Sequence, residues 1–186
     1  MNFENKIKHQ LRNYLFMQGV ISNKTVWQAQ SGGRTNKVWR LKGEMDLICK
    51  LYVETKTNPL FNNTPEAEYR CLLWLDGADI APKPHKYLKT PFGDVLLYDY
   101  IKGHRWSCDV KTVSELLTRI RKHKYPKGLR ILSNLPSDIK QTGLEIISKL
   151  NNYHKNELIK LCPDVSILNI EPVLLHTDIV PGNLIL

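Results

Sequence analysis

His176-Thr177-Asp178, followed five residues after the aspartate by Asn183, is the group of residues in this chain best suited to chemistry. A carboxylate such as Asp178 can accept the proton of an attacking hydroxyl. A carboxamide oxygen such as that of Asn183 can hold a magnesium ion bridging nucleotide phosphates. The group lies between two apolar stretches, Val173-Leu174-Leu175 and Leu184-Ile185-Leu186, which reads as a loop between two short strands. Taken alone, Asp178 is equally a turn aspartate of the kind common beside Pro-Gly.

Three features upstream give the group its meaning. Ser31-Gly32-Gly33-Arg34-Thr35-Asn36 separates two strand-like stretches, and Ser31, Gly32, Gly33 and Asn36 are candidates for a phosphate cradle, because glycine lets backbone N–H groups approach an anion closely. By itself this is a hairpin turn. No Gly-Lys-Ser/Thr follows, so it is not a Walker loop. Lys50 stands inside the apolar stretch Leu47 to Val53, where it either faces outward or pairs nucleotide phosphates. Such a lysine needs a carboxylate on the next helix. Glu68 is in phase with Leu72 and Leu75, whereas Glu66 falls in the first turn, where the helix dipole already accounts for an acid. Glu68 is therefore the expected partner. Tyr98-Asp99-Tyr100-Ile101 ends a later strand and could offer backbone groups to a nucleobase edge, with no basis for choosing among them. Each signal is weak; the Gly turn, the strand lysine, the helix glutamate and the Asp178 group, four in this order, reinforce one another.

The elements that must position these residues follow from periodicity. Apolar residues at Ile7, Leu11, Tyr14, Leu15 and Met17 predict a helix over residues 4 to 18. Strands are expected at 25–30, 37–41 and 47–53, then a helix from Pro65 to Asp76 with Thr64 as its cap and Gly77 as its stop. Further strands are expected at 85–88 and 95–101, a helix at 109–124 and a long one at 138–161. A lobe boundary is expected at Lys102-Gly103.

A chain of 186 residues, 42% hydrophobic and 24% charged, is long enough for a sizeable core and has the balance of a globular protein. The net charge of +9 suits an anionic partner. The densest basic cluster, Arg119 to Lys124, ends a predicted helix and complements its dipole, and basic and aromatic residues do not interleave on any one element. Nucleic acid therefore ranks last among the partners considered. Cys49, Cys71, Cys108 and Cys162 form no Cys-x-x-Cys pair, which argues against a zinc knuckle and for reduced thiols. With a polar N-terminus and no stretch of the roughly 20 apolar residues that span a bilayer, a cytoplasmic protein without a membrane partner is expected.

Ser31 to Asn36, Ile48-Cys49-Lys50-Leu51-Tyr52, Glu68 with Leu72 and Trp74-Leu75, and Leu174-Leu175-His176-Thr177-Asp178 through Asn183 together resemble the aminoglycoside phosphotransferase and choline kinase family, over nearly the whole chain. The resemblance implies an α+β, protein-kinase-like fold of two lobes. An antiparallel-sheet, nucleotide-binding lobe would occupy 1–102, and a mostly helical lobe 103–186. It implies transfer of the γ-phosphate of ATP, with Mg2+, to a hydroxyl of a small molecule such as an aminoglycoside or a choline- or thiamine-like alcohol. Lys50 and Glu68 would orient ATP, Asp178 would be the catalytic base, Asn183 would bind magnesium, and His176 would brace the loop.

Two positions depart from the family pattern. Thr177 stands where the family usually has glycine. The second metal-binding aspartate, expected after the catalytic loop, is missing, since Asp178 is the last acidic residue. The expectation is therefore a helical lobe that stops just after its catalytic loop, part of a longer enzyme, with Leu184-Ile185-Leu186 left as a bare apolar edge and this exact chain inactive. The alternative is a kinase-fold module that binds a nucleotide or a protein without transferring phosphate.

Overall fold

The computed structural model describes residues 3–30, 36–53, 64–124, 126–127, 136–149, 155–161, 174 and 183–185. Of the candidate residues, Ser31, Gly32, Gly33, His176 and Asp178 lie outside this set. The chain divides into two compact units, Met1–Pro126 with Leu175–Leu186, and Lys127–Leu174.

The first unit is built on a five-stranded antiparallel sheet. Its strands are β1 (Val26–Ala29), β2 (Asn36–Lys42), β3 (Asp46–Tyr52), β4 (Pro84–Thr90) and β5 (Gly93–Asp99), in spatial order β1-β2-β3-β5-β4. The central strand β3 reads Asp-Leu-Ile-Cys-Lys-Leu-Tyr, apolar at nearly every position because both faces are covered. Alternation sorts its side chains. Leu47, Cys49 and Leu51 join Trp39, Leu41, Val95, Leu97 and Trp27 in one core. Ile48, Lys50 and Tyr52 point to the other face, opposite Arg40, Val38 and Asn36 on β2 and Tyr98, Leu96 and Asp94 on β5.

Helix α1 (Phe3–Met17) closes the core face. Leu11 and Leu15, one turn apart and fully buried, enter the cluster, with Ile7 and Tyr14 packed beside them. The helix stops where its periodicity stops. Gly19 takes φ +64°, Gly19 N–H donates to the Phe16 carbonyl and Val20 N–H to the Leu15 carbonyl, both at 2.9 Å, closing a Schellman turn.

Helix α2 (Pro65–Trp74) crosses the opposite face above β4 and β5. Pro65 occupies its first position as expected. Thr64 stands at the cap but makes no side-chain capping bond; its carbonyl accepts Glu68 N–H at 3.1 Å instead. Helix α3 (Val110–Lys122) has a full cap: Asp109 accepts Thr112 N–H at 2.7 Å, and this bond holds its carboxyl below the ordinary range.

The basic end of α3 does more than complement a dipole. Arg119 donates to the carbonyls of Ala78 and Asp79 at 3.0 and 2.8 Å, and the Trp74 indole donates to the Lys124 carbonyl at 2.5 Å. These bonds tie α3 to the end of α2.

Two expectations change here. The single long helix over 138–161 is two, α4 (Pro136–Ser148) and α5 (Lys155–Lys160), both in the second unit. The last turn of α4 is tightened by a bond from Lys149 N–H to the Ile146 carbonyl, and the Ser148 hydroxyl turns back onto the Glu145 carbonyl at 2.7 Å. Serine competes for backbone groups in this way and ends helices. Of the apolar edge expected over 184–186, Leu186 lies outside the described residues, Leu184 is covered and Ile185 is exposed. Ile185 forms an antiparallel bridge with Arg105, Trp106 N–H donates to the Leu184 carbonyl at 3.1 Å, and Leu184 is buried.

Candidate functional site

The face of the sheet away from α1 carries the candidate chemistry. Lys50 rises from β3 between Ile48 and Tyr52, and α2 brings Glu68 down to it. The ammonium lies 2.9 Å from Oε1 and 2.7 Å from Oε2 of the carboxylate, so one cation spans both oxygens. The pair is partly buried, with side-chain exposures of 20% for Lys50 and 35% for Glu68. Water therefore reaches it, and the ammonium is open to a further anion. Glu66, the other acid of the first turn, pairs instead with Arg70 one turn on. Helix phase explains the difference: Glu66 is exposed, while Glu68 faces the sheet.

Tyr52 was not among the residues picked from the sequence, and it belongs to this group. Its hydroxyl donates to Glu68 Oε2 at 2.5 Å, and its ring centroid lies 4.9 Å from the Lys50 ammonium. Burial, and then the neighbouring Glu68, push the phenol far above its ordinary value, so it is a permanent donor. The signal was present in the sequence: Tyr52 is two residues from Lys50 on a strand, hence on the same face.

Asn36 begins β2 directly across from Tyr52 and is buried. The structure thus sets one candidate cradle residue beside the lysine strand.

The segment from Tyr98 to Ile101 is resolved into separate roles. Tyr98 sits opposite Ile48, half-buried, its phenol pushed upward by burial. Asp99 N–H is used by the Lys83 carbonyl at 2.9 Å, and its carboxylate meets His85 Nε2 at 2.6 Å. Tyr100 N–H is used by the Asp46 carbonyl, also at 2.9 Å. β5 ends at Asp99 rather than at 101. Ile101 is exposed, and its N–H makes no hydrogen bond among the described residues.

Arg40 fixes this corner of the face. Its guanidinium makes a fork to Asp46, at 2.7 and 2.5 Å, and stacks 3.6 Å above the Tyr100 ring. The Arg40 bonds hold the Asp46 carboxyl below the ordinary aspartate range. Strand register explains the fork: Arg40 and Asp46 flank the Gly43–Met45 bend of the β2–β3 hairpin.

Asn183 lies in a turn, exposed, immediately before the Leu184–Ile185 segment anchored on residues 105 and 106. Among the described residues no group of three or more His, Cys, Asp or Glu side chains is placed to hold a metal ion, and no helix is long and apolar enough to cross a membrane. A shallow cleft lined by Val20, Met45, Leu47, His85 and Leu97 opens on the α1 side of the sheet. It is on the wrong face to serve Lys50.

Among solved structures, the chain is similar to spectinomycin phosphotransferase, APH(9)-Ia, in complex with ADP and spectinomycin. The two are 16% identical with a TM-score of 0.54, and the match covers 96% of this chain and 64% of that one. The chain therefore spans just under two thirds of that structure's length, and the likeness is one of fold. No family model and no curated protein sequence matches.

Proposed function

We propose that this chain carries the nucleotide site of an ATP- and Mg2+-dependent phosphotransferase acting on a hydroxyl of a small molecule. The observation that carries the reading is the ammonium of Lys50 held by both oxygens of Glu68 on a five-stranded antiparallel sheet. A fold likeness to a phosphotransferase in complex with ADP supports it.

Each residue has a part in this reading. Val38 and Ile48 provide an apolar floor beside Lys50 for a purine ring. The N–H of Ile101 remains for a base edge, after Asp99 and Tyr100 have committed theirs to the sheet. Lys50, kept in place by Glu68, neutralises phosphate charge, which is most of what phosphoryl transfer asks of a protein. Asn36, with Ser31, Gly32 and Gly33, completes the cradle. Asp178 accepts the proton of the acceptor hydroxyl as its oxygen attacks the γ-phosphorus, the bond to the β,γ-bridging oxygen breaks and ADP leaves; His176 braces the Asp178 loop. Hard oxygen donors suit magnesium, and the Asn183 carboxamide is one; the ion, when bound, supplies charge neutralisation at the phosphates. We place the nucleotide lobe at 1–102 and the acceptor-side lobe at 103–186.

The test is titration of the 186-residue chain with ATP and magnesium, repeated on Lys50→Ala and Asp178→Asn. The expected result is roughly tenfold or greater weakening in Lys50→Ala. Asp178→Asn should bind ATP nearly as wild type does while abolishing any transfer to an alcohol acceptor. ATP binding that neither substitution changes would remove the site assignment.

A further inference from the structure

We infer that Tyr52 is a positioning residue of the nucleotide site, one that acts through Glu68 to aim the Lys50 ammonium at phosphate. The inference rests on the reading of this face as a nucleotide site, and it assigns a role to a residue that reading does not use.

A lysine paired with a glutamate has a weakness as a phosphate clamp. A carboxylate can turn about its terminal torsion, which is broad and nearly two-fold, and the ammonium follows it. A second donor on the carboxylate removes that freedom. Here Glu68 Oε2 receives two donors, the Lys50 ammonium at 2.7 Å and the Tyr52 hydroxyl at 2.5 Å, while among the described residues Oε1 receives the ammonium alone, at 2.9 Å. The carboxylate is thereby held at one oxygen by a donor other than the ammonium, which limits its turning.

Tyr52 is itself buried and flanked on both sides. It is 4% exposed, at the end of β3, with β2 on one side through Asn36 and β5 on the other through Asp94. The passage of Gly93 against the Tyr52 carbonyl fixes its backbone as well. The strand that carries Lys50 therefore also carries the group that orients the lysine's counter-ion, two residues away on the same face. Lysine has three N–H donors and Glu68 engages it through two oxygens, so the geometry leaves donor capacity for an anion. The aromatic ring 4.9 Å from the ammonium adds a face that favours the cation where it is.

A purely structural tyrosine and a positioning tyrosine make different predictions. Tyr52→Phe keeps the ring and removes only the hydroxyl. If the hydroxyl acts through Glu68 on Lys50, only ligands bearing phosphates should notice its loss. Calorimetric titration of the 186-residue chain with ATP plus magnesium, and separately with adenosine, should show ATP weakened roughly fivefold to tenfold in Tyr52→Phe and adenosine unchanged. In a Glu68→Gln background the same substitution should have little further effect, since the group it acts through is no longer a carboxylate. Equal weakening of ATP and adenosine, or an undiminished effect in the Glu68→Gln background, would overturn the inference, as would an unchanged ATP affinity. If wild-type chain binds ATP and Lys50→Ala binds it equally well, the nucleotide reading itself fails and the role of Tyr52 falls with it. That outcome is visible before Tyr52 is touched.

Discussion

Gly93, the first residue of β5, runs so close to the backbone carbonyl of Tyr52 that any side chain at position 93 would collide with it. The glycine also has φ +123°, a conformation that side-chain-bearing residues rarely adopt. Two constraints therefore fall on one residue. They close the β4–β5 turn, in which the Thr90 hydroxyl donates to the Gly93 carbonyl at 2.6 Å, against the end of the strand that carries Lys50.

Gly93→Ala should lower unfolding stability by about 2–4 kcal/mol, combining backbone strain with a displaced strand end. Gly19→Ala is the control: its φ is +64° but its added carbon meets nothing within 4 Å, so only about 1 kcal/mol should be lost. Urea denaturation midpoints of the two variants check this. Similar losses at both sites would mean that the close approach to Tyr52 is unimportant.

Asp46 and Arg40 give a dependence on acid. The Asp46 carboxyl is held below its ordinary value, chiefly by the hydrogen bond from Arg40, so the folded state binds a proton there less readily than the unfolded chain. The stabilisation is complete above the ordinary aspartate value of about 4 and is lost as pH falls through the lower folded value. Because the Asp46 side chain is 37% exposed, the effect is modest. Asp46→Asn should melt roughly 1–3 °C below wild type at pH 6, and the gap should close between about pH 4 and pH 2. Melting curves across that range decide it; a gap unchanged at pH 2 would show that the charge is not responsible.

The three described cysteines should react very differently. Cys49 is fully buried in the core beneath the sheet, and burial pushes its thiol upward. Cys108 is exposed, and Cys71 is intermediate. A thiol reagent with peptide mapping should modify Cys108 within minutes in native protein and Cys49 only in denaturant. Rapid labelling of Cys49 in native buffer would contradict the packing of β3 against α1.

Much of this was legible in the sequence because it depends on short-range periodicity. Strand alternation around Lys50 and helix phase at Glu68 are local, and the partner they select, Glu68 over Glu66, is the pair the fold brings together. Contacts set by register were not legible. Arg40 over Tyr100, with its fork to Asp46, requires knowing that β2, β3 and the end of β5 meet at one corner. The same holds for Tyr98 to Ile101, where pairing with Lys83 and Asp46 takes the N–H groups of Asp99 and Tyr100 and leaves that of Ile101 without a hydrogen bond among the described residues. The spacing of Tyr52 from Lys50 sets its face of the strand, but its bond to Glu68 depends on where α2 lands on the sheet. The break between α4 and α5 was hidden by apolar residues that keep a helical rhythm across it.

The most direct test asks which lysine meets nucleotide phosphate. An ATP acyl-phosphate delivers its acyl group to an amine beside the bound phosphates, and peptide mapping then finds the residue. Lys50 should be acylated ahead of the other lysines, excess ATP should suppress that labelling, and Glu68→Gln should reduce it several-fold. Labelling scattered over surface lysines, insensitive to ATP, would contradict a nucleotide site on this face of the sheet.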